Sequence, residues 1–178
     1  GNKEMLQNVF TNKIAPSCFT KRKILETVDN YEDAVEAFST TPYGATEFNI
    51  VSGVRKGTIL ARNPEGLAYQ LPLSESGKKY IIMTNFDYIW GDVKEIFDPT
   101  GGKGIFHPRR KPAEALLDAA ESMTPDVLFN VINDFEVMAK DTIYQVIMDV
   151  ETGLYNASLP FCAKCGIEGG IWPSQVVV

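Results

Sequence analysis

Histidine and cysteine are scarce in this chain, which holds one histidine, His107, and three cysteines, Cys18, Cys162 and Cys165. Three thiols are too few for a disulfide framework, and the odd count leaves at least one unpaired within the chain. His107 has no serine or cysteine near it in sequence to suggest a nucleophile–base pair, so it is assigned no catalytic role. Long apolar runs are missing too: none approaches the roughly 20 residues needed to cross a bilayer. The chain opens with Gly1-Asn2-Lys3-Glu4, which shows neither an N-terminal nucleophile nor signal-peptide character. If the protein is secreted or vesicular, its targeting sequence is expected upstream. Positive charge is not in excess. Seventeen Lys and Arg face 23 Asp and Glu, a net charge of -6, which argues against nucleic acid as a partner, since such binding needs clustered cations to displace counterions. The triplets Lys21-Arg22-Lys23 and Arg109-Arg110-Lys111 are too short to reverse that conclusion.

What is present describes a soluble globular chain: 178 residues, 44% hydrophobic and 22% charged, one domain or the larger part of one. The first 40 residues read as helical. Apolar residues fall at positions 24, 25 and 28, and Asp29 or Asn30 can then cap a helix through residues 31–38. Tyr31, Val35 and Phe38 share one face of it at three- and four-residue spacing. From residue 46 the period becomes that of strands, expected at 46–52, 58–62, 67–71 and 79–84. The turn chemistry of 53–57 and 63–66 suits an antiparallel meander. Residues 91–108 read as a long loop. Pro112 is expected at the first position of a helix, and Thr124-Pro125-Asp126 caps another running towards Phe135. Residues 142–150 and 154–159 then form a hairpin over Glu151-Thr152-Gly153. Helices, four strands, helices and two strands in that order predict a layered α+β domain with mainly antiparallel strands.

Two segments carry the chemistry. The apolar run Tyr80-Ile81-Ile82-Met83 stops abruptly at Thr84-Asn85-Phe86-Asp87. A buried strand ending there would aim the Asn85 amide, a neutral donor, at a fixed point, which suits an oxyanion. The plainer alternative is that Asn85 and Asp87 cap the strand exit. Downstream, Arg109 and Arg110 can bind a carboxylate, polarise a carbonyl or pair with Asp87; the alternative is a pair of surface arginines ahead of a helix. Cys162-Ala163-Lys164-Cys165 has metal-like and redox-like spacing. Zinc needs four ligands and a second cysteine pair is absent, while a thioredoxin-type pair belongs at a helix start. A local disulfide between Cys162 and Cys165 in an oxidising compartment is preferred, and neither metal nor cofactor is expected. Gly101-Gly102-Lys103-Gly104 lacks the spacing of a phosphate-binding loop and reads as a loop tip. Asn156-Ala157-Ser158 is an acceptor sequon for N-glycosylation, relevant if the protein enters the secretory pathway.

Taken in order, Arg22-x-x-Leu25-Glu26, Asn30-Tyr31-Glu32-Asp33-Ala34, Gly53, Thr84-Asn85-Phe86-Asp87, Arg109-Arg110-x-Pro112-Ala113 and the Thr152-Gly153 turn resemble the acid ceramidase and N-acylethanolamine acid amidase family. The resemblance covers about residues 22–165, and the cysteines at 162 and 165 fit the family's C-terminal end. It implies an N-terminal-nucleophile hydrolase of αββα layering, in which a self-cleaved precursor exposes a cysteine that attacks a lipid amide. Asn85 would stabilise the oxyanion and Arg109 would line the site, with Asp87 and Arg110 in support. The implied partners are a lipid amide, ceramide-like or an N-acylethanolamine, and the N-terminal portion of the same protein. The implied location is lysosomal or secreted. The family's nucleophile lies upstream of the matched region, so residues 1–178 are expected to be the C-terminal portion of one such domain. A non-catalytic lipid-binding or interaction domain of the same fold is the alternative.

Overall fold

The structure is a computed structural model that describes residues 2–11, 14–42, 44–84, 109–139 and 142–160. It divides into two compact units, Gly1–Ile81 and Ile82–Val178.

In the first unit, helices α1 (Asn2–Thr11), α2 (Ser17–Thr27) and α3 (Tyr31–Thr40) precede strands β1 (Glu47–Gly53), β2 (Lys56–Asn63) and β3 (Gly66–Pro72). Asn30 starts α3, its side-chain oxygen accepting the Asp33 backbone N–H at 2.9 Å. Glu32 and Asp33 follow in the first turn, where carboxylates meet the positive end of the helix dipole. The apolar stripe of α3 is buried as its spacing predicts. Ala34 and Phe38 join Ile24 of α2, Val51 of β1 and Leu60 of β2 in one cluster, with Tyr31 and Val35 packed at its side.

The three strands form the expected antiparallel meander in the order β1-β2-β3. Register pairs Asn49 with Leu60 and Val51 with Thr58, so alternate residues of both strands face the helices. Ile59 and Ala61 point to the other side of the sheet and are also buried, which makes β2 a continuous buried run from residue 57 to 62. On the helix side, Tyr31 hydrogen-bonds its hydroxyl to that of Thr58. Gly53 lies against the same ring: a Cβ there would stand 2.9 Å from Tyr31 Cδ2, so only glycine lets the strand end approach this closely.

Arg62 is 1% exposed, an unusual place for a guanidinium. Its Nη1 donates to the backbone carbonyls of Phe38, at 2.9 Å, and Ser39. These are among the last carbonyls of α3, which have no partner within the helix. A cation there also meets the negative end of the helix dipole. Arg62 thereby ties the middle strand to the end of the helix.

One predicted strand does not form. Residues 80–84 carry no strand pairing and are half-buried. Pro72, which has no N–H for a ladder, ends β3, and a 3-10 turn over Leu73–Glu75 with bends at 76–79 follows. Ile81 instead packs near Gly57, its Cδ1 3.7 Å from where a Cβ on that glycine would be. An apolar run becomes a strand only where an edge is available to pair with it.

The second unit contains α4 (Arg110–Ala119), α5 (Pro125–Ile132) and the hairpin β4 (Gln145–Asp149) and β5 (Leu154–Ser158). Thr124 caps α5 by accepting the Val127 N–H at 3.3 Å, with Pro125 at the first position. Helix α5 packs against α4 and against β4; Gln145 donates from Nε2 to the carbonyl of Ile132 at 2.8 Å. Ala113, Leu117, Val131 and Ile147 are buried in this unit. The hairpin turn is organised by Asp149, whose Oδ2 accepts the Thr152 hydroxyl at 2.7 Å and whose Oδ1 accepts the Glu151 N–H at 2.9 Å. Gly153 takes a φ of 74 there, a left-handed conformation that suits glycine. Both units mix helices with antiparallel strands, so the α+β class stands.

Candidate active site

Helix α4 begins two residues earlier than proline placement alone predicts. Pro112 is its third residue, which is tolerated because the N–H groups of the first turn have no intrahelical acceptor. The shift decides where the arginines sit. Arg109 becomes the N-cap residue, at φ -98 and ψ -20, and its carbonyl accepts the Ala113 N–H at 3.2 Å. Arg110 lies inside the first turn rather than in a loop ahead of the helix. Its side chain is 13% exposed, with Nε 3.9 Å from Glu114 Oε1 one turn on.

The Nε atoms of both arginines are buried. The positive end of a helix is an unfavourable location for two cations, and burial adds a desolvation cost. Contacts with neighbouring groups, such as that of Arg110 with Glu114, offset that cost. A guanidinium is a planar, forked donor whose geometry matches a carboxylate.

Asn85 and Asp87 lie outside the described residues, as do His107, the glycines of 101–104, and Cys162 and Cys165. Of the predicted site the structure therefore places Arg109 and Arg110 together, and Thr84, half-buried, marks where the chain approaches Asn85. Asn156 is exposed on β5. Cys18 is an exposed free thiol on α2, in the first unit. Among the described residues no group of three His, Cys, Asp or Glu could hold a metal ion, and no helix is long and apolar enough to cross a membrane.

A groove in the first unit had no sequence signal. It encloses about 900 Å³ and is lined by Tyr31, Val35, Lys56, Thr58, Pro72 and Lys78 among others, a size that fits a small ligand. At its rim Lys56 pairs with Glu32 and lies over the Tyr31 ring, 4.7 Å from its centre. The hydrogen bond from Lys56 holds the Glu32 carboxyl below its ordinary range. These residues are more than 20 positions apart, and only the packing of α3 on the sheet brings them together.

The class the structure defines is α+β, with Arg109 and Arg110 at the start of α4 in the second unit. No protein-family model matches the chain. Its sequence is 27% identical to the acid ceramidase of Mus musculus over 150 residues, 81% of this chain and 35% of the relative. It is 30% identical over 139 residues to the N-acylethanolamine-hydrolyzing acid amidase of Rattus norvegicus, 75% of this chain and 35% of that protein. With the Caenorhabditis elegans protein of the same name it shares 33% identity over 86 residues, 47% of this chain and 24% of the relative. These similarities extend over most of the chain and support the acid ceramidase and acid amidase family. The chain spans about a third of the length of the curated relatives it matches.

Proposed function

We propose that this chain forms part of a lipid-amide hydrolase of the N-terminal-nucleophile type, cleaving ceramide-like or N-acylethanolamine amides to a fatty acid and an amine. The observation that carries the reading is the similarity of four-fifths of the chain to proteins named acid ceramidase. On this reading the chain supplies the C-terminal portion of an αββα sandwich. The attacking cysteine lies in a portion outside this sequence, and its α-amine takes the thiol proton. Attack on the amide carbonyl places negative charge on the oxygen. Asn85 donates a hydrogen bond to that oxygen, Arg109 lines the site from the N-cap of α4, and Asp87 and Arg110 hold the constellation in place. The compartment is lysosomal or extracellular, and the oxidising endoplasmic reticulum on the route to either permits a Cys162–Cys165 disulfide.

The test is hydrolysis of fluorogenic N-acyl amides by the full-length protein and its variants. Removing one oxyanion donor costs about 10²–10³ in kcat, or roughly 3–4 kcal/mol, so Asn85→Ala should fall by that factor with little change in KM. Arg109→Ala should lower kcat/KM as well. Equal rates for wild type and Asn85→Ala remove Asn85 from the mechanism. Absence of hydrolysis by the processed wild type supports the alternative, a non-catalytic lipid-binding domain of the same fold.

A further inference from the structure

We infer that Asn156 is a glycan attachment site, modified on the face of the β4–β5 hairpin that leaves its apolar side open. Asn156-Ala157-Ser158 is the one sequon in the chain: none of the other nine asparagines has Ser or Thr two residues on. The residue following the sequon is Leu159, so proline does not interrupt it.

Structure adds what the motif alone lacks. Among the described residues β4 and β5 pair only with each other, so β5 has an open edge. Asn156 is exposed, and its partner across the hairpin is Ile147, which is buried. Ile147 shares its side of β4 with Gln145, whose amide reaches the Ile132 carbonyl of α5. Asn156 and Ser158 are therefore on the helix-facing side, where Asn156 is exposed. The opposite side carries Val146, Met148, Tyr155 and Ala157, with Met148 64% and Tyr155 42% exposed. A sugar on Asn156 leaves that apolar face free to be covered, whereas one on position 155 would obstruct it. It also screens the open edge of β5 against pairing with another chain.

The chemistry uses a lipid-linked oligosaccharide pyrophosphate, the co-reactant of the secretory pathway. The Asn156 amide nitrogen bonds to the anomeric carbon of the first sugar and loses one proton. The bond from that carbon to the pyrophosphate oxygen breaks, and the lipid pyrophosphate leaves with the electron pair. The inference rests on the secretory route implied by a lysosomal reading and is independent of catalysis.

The full-length coding sequence, translated with endoplasmic-reticulum microsomes, tests it. Transfer takes place on the emerging chain, so a variant that folds poorly still reports. The readout is mass spectrometry of the peptide containing residue 156, before and after peptide-N-glycosidase, which converts a glycosylated asparagine to aspartate. Wild type and Ser158→Thr should be converted; Asn156→Gln and Ser158→Ala should carry no sugar at this peptide. An unmodified Asn156 in chains protected from added protease overturns the proposal, and so does failure of the chain to enter the microsomes. Amide hydrolysis is scored separately, so failure of this site and failure of the hydrolase reading are distinguishable.

Discussion

Replacing Arg62 by alanine removes the donor that closes the C-terminal end of α3. Its Nη1 serves two backbone carbonyls, Phe38 and Ser39, and hydrogen bonds from charged groups are worth about 1.5–3 kcal/mol each. The truncation also empties space beside a fully buried strand, adding a cavity contribution. Part of the loss is offset, because a guanidinium no longer has to be held out of water. The expected net cost for Arg62→Ala is about 3–5 kcal/mol, a large fraction of the roughly 5–15 kcal/mol that holds a typical domain together. Arg62→Met, which keeps much of the volume and relieves the buried charge, should cost less, about 1–3 kcal/mol. Arg62→Lys should fall between the two, since an ammonium cannot span both carbonyls with a planar fork. Urea unfolding followed by far-UV circular dichroism measures the totals, and hydrogen exchange of the amides at 38–41 reports the helix end directly. A loss below about 1 kcal/mol for Arg62→Ala, with unchanged exchange at those amides, would refute the capping role.

At Gly53 an alanine Cβ would meet Tyr31 Cδ2 at 2.9 Å and Lys56 Cε at 3.1 Å, so Gly53→Ala should cost about 1–3 kcal/mol as overpacking. The same change in a Tyr31→Ala background should be close to neutral, and thermal unfolding of the four proteins makes the comparison. The hairpin of the second unit should show a specific pH response. The Asp149 carboxyl is held below its ordinary value of 3.8, first by the Thr152 hydroxyl and then by the Glu151 N–H. A lowered folded-state value means that the turn is at full strength above the ordinary value and weakens as the pH falls through the lowered one. Amide shifts of Glu151 and Thr152 should stay constant down to about pH 5 and move only in more acid solution, and Asp149→Asn should abolish the movement.

Much of the chain's local structure was legible before any packing was considered. Asp29 or Asn30, of which the structure uses Asn30, and Thr124 mark helix starts because a side-chain oxygen can satisfy an orphan N–H without help from distant residues. The meander follows from turn chemistry at 53–57 and 63–66 and from period-two patterning. The strand expected over 79–84 failed for the opposite reason. Its residues are apolar enough, but Pro72 and the turn after β3 end the meander before them, and no local pattern encodes whether a distant partner strand pairs with a segment. The arginines illustrate a third case: their chemistry was readable, but their burial at the start of α4 depended on a helix that begins before Pro112.

The sequence by itself determined the α+β class, the helix caps, the antiparallel order of the strands and the order of residues that resembles the acid ceramidase and acid amidase family. These depend on residues within a few positions of each other, or on the order of residue types along the chain. Tertiary structure alone decided that Arg62 ends α3, that Gly53 admits the Tyr31 ring, and that Asn156 stands on the helix side of its hairpin. Each of these joins groups far apart in the chain or separates two faces of one strand, and burial and hydrogen bonding set both only when the elements pack.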